Sequence, residues 1–433
     1  MRLEIESVAV EGLDFGAQTA LQDHTLLVDR DAVRRLVLED PRFADIGVHV
    51  ARPGESVRIM HAMDIAEPRW KLDGPGGVFP GLVSPATTVG TGRTRRLARV
   101  AVISVGEPVP GEQIHFREQI VDMDGPGAPL SPFGATLNLV LHFRPNLAQF
   151  PVDAPPPKDV LAGTPSAVEY NHAIQRAGLR VAAYLGAAAA TTAPDDVEVF
   201  DLAPCDPSLV KVACLYHCHR PYLYGTTVGL PVGTIVHPNE CFDGALVGWQ
   251  QGRRCTYWDQ NNPVMVELCR RHGTDLSFQG TILFGDTSPS RVDKERIAST
   301  AARLVGLLSA QAAVLLGVNG SNHCVDAMLS VQACEEAGIK TTLLLFDVGN
   351  GRDDPGFIFA VPEADAIVCT GSRDWRVTLP PIRTVIGGDR LVDPELTITG
   401  QVVDASGELK VPLRYLHSAY SVDGHSRLTT RFH

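Results

Sequence analysis

The 433-residue sequence has no apolar run long enough to span a bilayer; its longest candidate, residues 310–318, has the length of a core strand. Its start, MRLEIESVAVEGLDFG, alternates like a strand and lacks the charged and apolar regions of a signal peptide. Positive charge is scarce: 38 Lys and Arg face 50 Asp and Glu, for a formal net charge of −12. That balance argues against nucleic acid or an anionic membrane as the main partner, although one local basic pocket can still hold a small anion. No CxxC pair, HExxH helix, Walker motif or dinucleotide fingerprint occurs, and no internal repeat is visible. The nine cysteines are odd in number and follow no disulfide-framework spacing, which points to a reducing cytoplasm with thiols that are buried, ligating or reactive.

What is present describes a globular chain. Hydrophobic residues make up 44% and charged ones 20%, so disorder is excluded, and the length predicts about two or three domains. The expected class is α/β: a β-rich N-terminal domain over 1–150, followed by a Rossmann-like, mostly parallel sheet domain. In the first part, β-type runs such as 3–10, 25–28, 99–105, 114–122 and 136–143 alternate with Gly/Pro loops, and Asp31 is placed to cap a short helix over 30–39. Residues 151–205 hold a proline-rich linker, FPVDAPPPKD, then a helix in which Tyr170, Ile174, Ala177 and Val181 recur on one face. From 206 to 433 apolar strands alternate with amphipathic helices, the pattern of parallel strands covered on both faces, and a β-like tail follows residue 391.

In open α/β sheets ligands bind beyond the carboxyl ends of the strands, and here those ends collect polar residues. One strand runs into His217, Cys218, His219 and Arg220; others run into Glu240 and Cys241, into Asp286, into Asn319, Asn322, His323 and Cys324, and into Asp347 and Arg352. Imidazole and thiolate suit Zn or Fe, so His217, His219, His323 and Cys218 form a candidate metal set with Glu240 as a further ligand. Strand alternation argues the other way, keeping His217 with His219 and sending Cys218 to the opposite face. Cys324 opens a helix, where the dipole would lower a thiol pKa, so it is the candidate reactive cysteine; Glu240 and Asp286 are candidate acid–base groups. Arg220 and Arg352 are placed to clamp a substrate carboxylate, with Asn319 and Asn322 in a glycine-bearing loop beside them. Each arginine reads equally well as a solvated surface residue. Cys214, Cys269, Cys334 and Cys369 read as small core hydrophobes, and Cys205 as an incidental loop thiol.

The segments ARPGESVRI (51–59), VGTGRT (89–94), IVDMDGPGA (120–128), LNLV (137–140), HPNECFDGA (237–245), NNPVMVELCRRHG (261–273), DKER (293–296) and GIKTTLLL (338–345) occur in order along nearly the whole chain. In these the sequence resembles the α/β proprotein of glycine/sarcosine/betaine reductase component B, and more distantly the D-proline reductase proprotein. The resemblance implies a subunit of a complex that reductively cleaves the C–N bond of a small amine, with a second subunit carrying the thiol or selenol. It also implies a self-splitting precursor, cleaved before an internal cysteine to leave a pyruvoyl electrophile.

At the corresponding stretch, DGALVGWQQGRRC, this sequence has Gln250 and Gln251, with Cys255 downstream and Cys241 upstream as the remaining possible pyruvoyl precursors. Without a cysteine nucleophile the acyl shift cannot proceed, so an uncleaved chain without pyruvoyl is expected. A metal at the histidine cluster would then be the substitute Lewis acid. Two alternatives accompany the reductase reading: a metal-dependent lyase or hydrolase acting alone, and a non-catalytic assembly subunit.

Overall fold

The computed structural model describes residues 1–110, 119–150, 165–218, 221–228, 233–248, 254–285, 290–318, 320, 322–348, 356–391, 403–420 and 431–432. The chain is mixed α/β. Strand Arg2–Ala9 lies in a four-stranded sheet between Gly92–Ala98, to which it is parallel, and Asp196–Asp201, to which it is antiparallel. A second four-stranded sheet orders Phe43–Ala51, Leu137–Pro145, Val100–Gly106 and Ala62–Ala66. The helix over Arg30–Leu38 is capped by Asp29 rather than Asp31, its carboxylate accepting from the Ala32 amide at 2.9 Å. Asp31 instead lies in the first turn, where its charge complements the helix dipole.

Helix Pro165–Ala187 buries the expected stripe of Tyr170, Ile174, Ala177 and Val181 against the second sheet. Burying Ile174 or Val181 stabilises the fold by about 1.5–3 kcal/mol each. Near the helix end, Gly186 lies so close to strand Arg69–Asp73 that a Cβ there would stand 2.3 Å from the Arg69 carbonyl oxygen. No helix of the described residues is long and apolar enough to cross a membrane.

A seven-stranded sheet carries the second half. Its strands in chain order are β1 (Lys211–His217), β2 (Thr234–Val236), β3 (Ser277–Phe284), β4 (Ala312–Leu316), β5 (Lys340–Asp347), β6 (Ile367–Ser372) and β7 (Arg431–Phe432). In space they run β2-β3-β1-β4-β5-β6-β7; the five from β3 to β6 are parallel and the outer two antiparallel. The chain leaves β1 on one side for β3, then crosses through helix α1 (Arg291–Leu307) to the other side for β4. Helix α2 (Asn322–Glu336) joins β4 to β5, and α1 and α2 pack on the same face over Leu215, Ile282, Leu315 and Leu345. The connection therefore reverses between β1 and β4, and such reversals open a crevice at the carboxyl ends of the strands.

The tail returns to the N-terminal half. Strand Thr384–Ile386 pairs in parallel with Val57–Ile59, which also holds Val121–Asp122. There the buried Arg58 guanidinium donates to both Asp122 oxygens, at 2.7 and 2.9 Å, and to the carbonyls of Pro380 and Ala405.

Candidate active site at the strand ends

Parallel pairing puts Tyr216, Leu316 and Leu344 side by side, and all three pack into the core on the face opposite α1 and α2. Alternation then sends His217, one residue on, and Asp347, three residues on, to the face that carries the helices. His217 is 9% exposed, and its ring stacks on Phe284 of β3 at 5.4 Å and 17°. Burial, with His323 and Lys294 nearby, pulls its pKa down to about 4 against the opposing pull of Asp326, so the imidazole is neutral near pH 7. Its Nε2 has no hydrogen-bond partner among the described residues. Asp347 is 5% exposed, and its Oδ1 likewise lacks a partner among them. Burial first, and then the Asp347 carboxylate beside it, push the Cys369 thiol up.

The floor of this region is an ion pair. Lys294, in the first turns of α1, reaches Asp326 of α2 at 2.9 Å and the Asn322 carbonyl at 3.2 Å. Ser290 caps α1 by accepting from the Asp293 amide, which fixes where Lys294 emerges. Asn322 and His323 open α2 and are partly exposed at the same edge.

Cys218 takes the opposite side. It packs with Cys241 and Tyr216, near Asp259, whose carboxylate accepts from the Tyr216 hydroxyl and from Arg254 Nε, both at 3.1 Å. Burial, reinforced by Asp259, drives both thiols well up. Among the described residues no group of three or more His, Cys, Asp or Glu could hold a metal ion.

Glu240 and Cys324 do something different from what was expected of them. Glu240 closes a capping box on the short helix Pro238–Phe242: one oxygen accepts from the His237 amide at 2.8 Å, the other from the Tyr224 hydroxyl at 2.6 Å. Both oxygens are therefore committed. Cys324 is fully buried, facing the core with Ala327 and Met328, and burial raises its thiol pKa where the helix dipole was expected to lower it. His219, Arg220, Asp286, Asn319 and Arg352, together with Gln250 and Gln251, lie outside the described residues.

Around the stretch where the resemblance places a cleavage point, Cys255 is fully buried and its thiol driven well up, mainly by burial and then by Asp64. Asp64 accepts from the Thr256 amide at 2.9 Å and the Thr256 hydroxyl at 2.8 Å. Gln175 donates to Asp64 and to the Gly248 carbonyl, so the two ends of the 249–253 stretch are tied to one buried acid. Burial moves Asp64 up to about 7 against these donors.

A family profile for glycine/sarcosine/betaine reductase component B subunits matches residues 1–431. The chain belongs to this family. It is 31% identical to a glycine reductase complex component B subunits alpha and beta protein of Peptoclostridium acidaminophilum, over the whole of both chains. It is 30% identical over full length to a sarcosine reductase complex component B subunit alpha of the same organism. A betaine reductase complex component B subunit alpha, again from that organism, is 29% identical over 89% of this chain and 88% of its own. No solved structure gives a significant match.

For this component B family member, strand-end reasoning named His217, Asn322 and His323 and did not name Lys294 and Asp326, which lie beside them. Lys294 lies within DKER, one of the segments that carry the resemblance, which was the available signal. The capping role of Glu240 was legible in HPNE, with proline at the first helical position and glutamate two residues later. Cys324 also begins an apolar stripe with Ala327, Met328 and Val331, a spacing that marks a core face.

Proposed function

We propose that this chain is the substrate-handling subunit of a reductase complex that cleaves the C–N bond of a small amine, with a partner subunit supplying the thiol or selenol. The full-length similarity to component B subunits of glycine, sarcosine and betaine reductase complexes carries this reading. The site is the crevice between β1 and β4, at the carboxyl ends of a sheet we read as Rossmann-like from its strand order. Two buried polar atoms face that edge, His217 Nε2 and Asp347 Oδ1. The thiols support the need for a partner: seven of the nine are buried, and Cys205 and Cys269 are half-buried away from this edge.

A pyruvoyl group does not fit the residues present. Its formation needs a cysteine nucleophile at the scissile bond, and the resemblance places Gln250 and Gln251 there, which cannot serve. Cys255 downstream and Cys241 upstream, the other possible precursors, are both buried and held protonated. We infer that the chain stays whole. The metal-dependent lyase or hydrolase reading has less support, because Cys218 lies on the far face and Glu240 is committed as a cap.

Intact mass and reconstitution test this reading together. A single species of 46.6 kDa that co-purifies with a thiol- or selenol-bearing subunit and consumes an amine with it is the expected outcome. Two fragments would overturn the uncleaved chain, and turnover by the isolated chain on added metal would favour the lyase or hydrolase.

A further inference from the structure

Asp347 presents an unusual acceptor. It ends β5, is 5% exposed, and keeps one carboxylate oxygen without a hydrogen-bond partner among the described residues. Burying a carboxylate short of donors costs several kcal/mol, and native proteins keep such a group mainly where a ligand completes it. Three of its surroundings bear on what that ligand is. On β6 the buried Ser372 is the residue paired with Asp347, and the Cys369 thiol, a weak donor that burial keeps neutral, hydrogen-bonds to the Asp347 carboxylate. The one buried cation on this face of the described sheet edge, Lys294, is committed to Asp326 and the Asn322 carbonyl. The Phe346 ring next to Asp347 packs against Tyr420 on the opposite side, so among the described residues this aromatic neighbour does not face the carboxylate.

An open carboxylate oxygen calls for a cation that donates a hydrogen bond, whereas a quaternary ammonium is recognised by aromatic faces. Resting on the amine-reductase reading above, we propose that Asp347 binds the substrate nitrogen and makes the site selective for ammonium groups that carry N–H, against quaternary ones. Its position at the strand end, on the face shared with His217, puts that contact at the edge of the β1/β4 crevice. This separates the glycine- and sarcosine-type substrates of some relatives from the betaine-type substrate of another.

The test is calorimetric titration of the full-length chain with glycine, sarcosine, N,N-dimethylglycine and betaine, a series that loses its nitrogen-bound hydrogens one at a time, with acetate as the carboxylate control. Binding of the first three, and a drop of about tenfold or more at betaine and acetate, is expected. Asp347→Asn, checked for an unchanged circular dichroism spectrum, should weaken sarcosine by about tenfold or more and leave acetate unaltered. Betaine binding as tightly as sarcosine, or no binding by any of the amines, would overturn the proposal on wild-type protein alone. The two readings fail separately: amine turnover by the reconstituted complex with an unchanged KM in Asp347→Asn removes Asp347 and keeps the reductase. Amine binding that depends on Asp347 without turnover by any complex does the reverse.

Discussion

Lys294 and Asp326 meet at 2.9 Å between the first turns of α1 and α2, with side chains 7% and 4% exposed, close enough to the neutral ring of His217 to act on its charge. The pair ties together the amino ends of the two helices that leave β3 and β4, the strands on either side of β1. Its charges bear in opposite senses on the histidine.

Removing one member of that pair strands the other. Lys294→Met is expected to lose about 3–5 kcal/mol of stability in urea unfolding, because Asp326 stays buried without its cation. Replacing both, as Lys294→Met with Asp326→Leu, should recover most of the loss. If each single variant matched wild type within error, the pair would have no structural weight.

His217 and Asp64 give pH dependences of opposite sign. The His217 pKa is depressed from 6.5 to about 4 in the folded state, so between these values the unfolded chain binds more protons. Stability from this group is complete above pH 6.5 and is lost as pH falls towards 4. His217→Phe, which keeps the stack on Phe284, should flatten that acid-side decline in melting temperature measured from pH 7 to 4.

Asp64 is raised from 3.8 to about 7, so over that interval the folded chain holds the extra proton and stability falls as pH rises. The slope while one state alone is ionised is about 1.4 kcal/mol per pH unit. Asp64→Asn cannot ionise; its stability relative to wild type should climb from pH 4 to 7 and then level off. A constant difference across the range would show that Asp64 titrates normally.

The thiols should be quiet in the native protein. Iodoacetamide at pH 8, followed by peptide mass mapping, is expected to label Cys205 and Cys269 before any other, since the remaining seven are buried. Fast labelling of Cys324 would restore it as a reactive residue.

Much of the second half was legible because its strands are continuously apolar and its helices amphipathic, so the sequence reading of strands near 209–216, 312–317 and 341–346 lies within a residue or two of β1, β4 and β5. Their carboxyl ends could be read off directly, and His217, His323 and Asp347 all emerge at one edge. The capping error at residues 29 and 31 is local: both are aspartates near the helix start, and the choice depends on which backbone turns extended first. The burial of Lys294 was not legible, for a different reason. A lysine early in an amphipathic helix is ordinarily solvated, and only the approach of α2 removes it from water.

The sequence by itself determined the family, the alternation of elements and the edge at which the polar strand-end residues gather, since periodicity and strand ends are local properties of the chain. The tertiary structure decided which way each polar side chain faces and what it meets there. It sent Cys218 to the far core, turned Cys324 inward, committed Glu240 to a cap and paired Lys294 with Asp326. Those outcomes depend on contacts between residues far apart in the chain, where burial and a partner's charge outweigh any local preference.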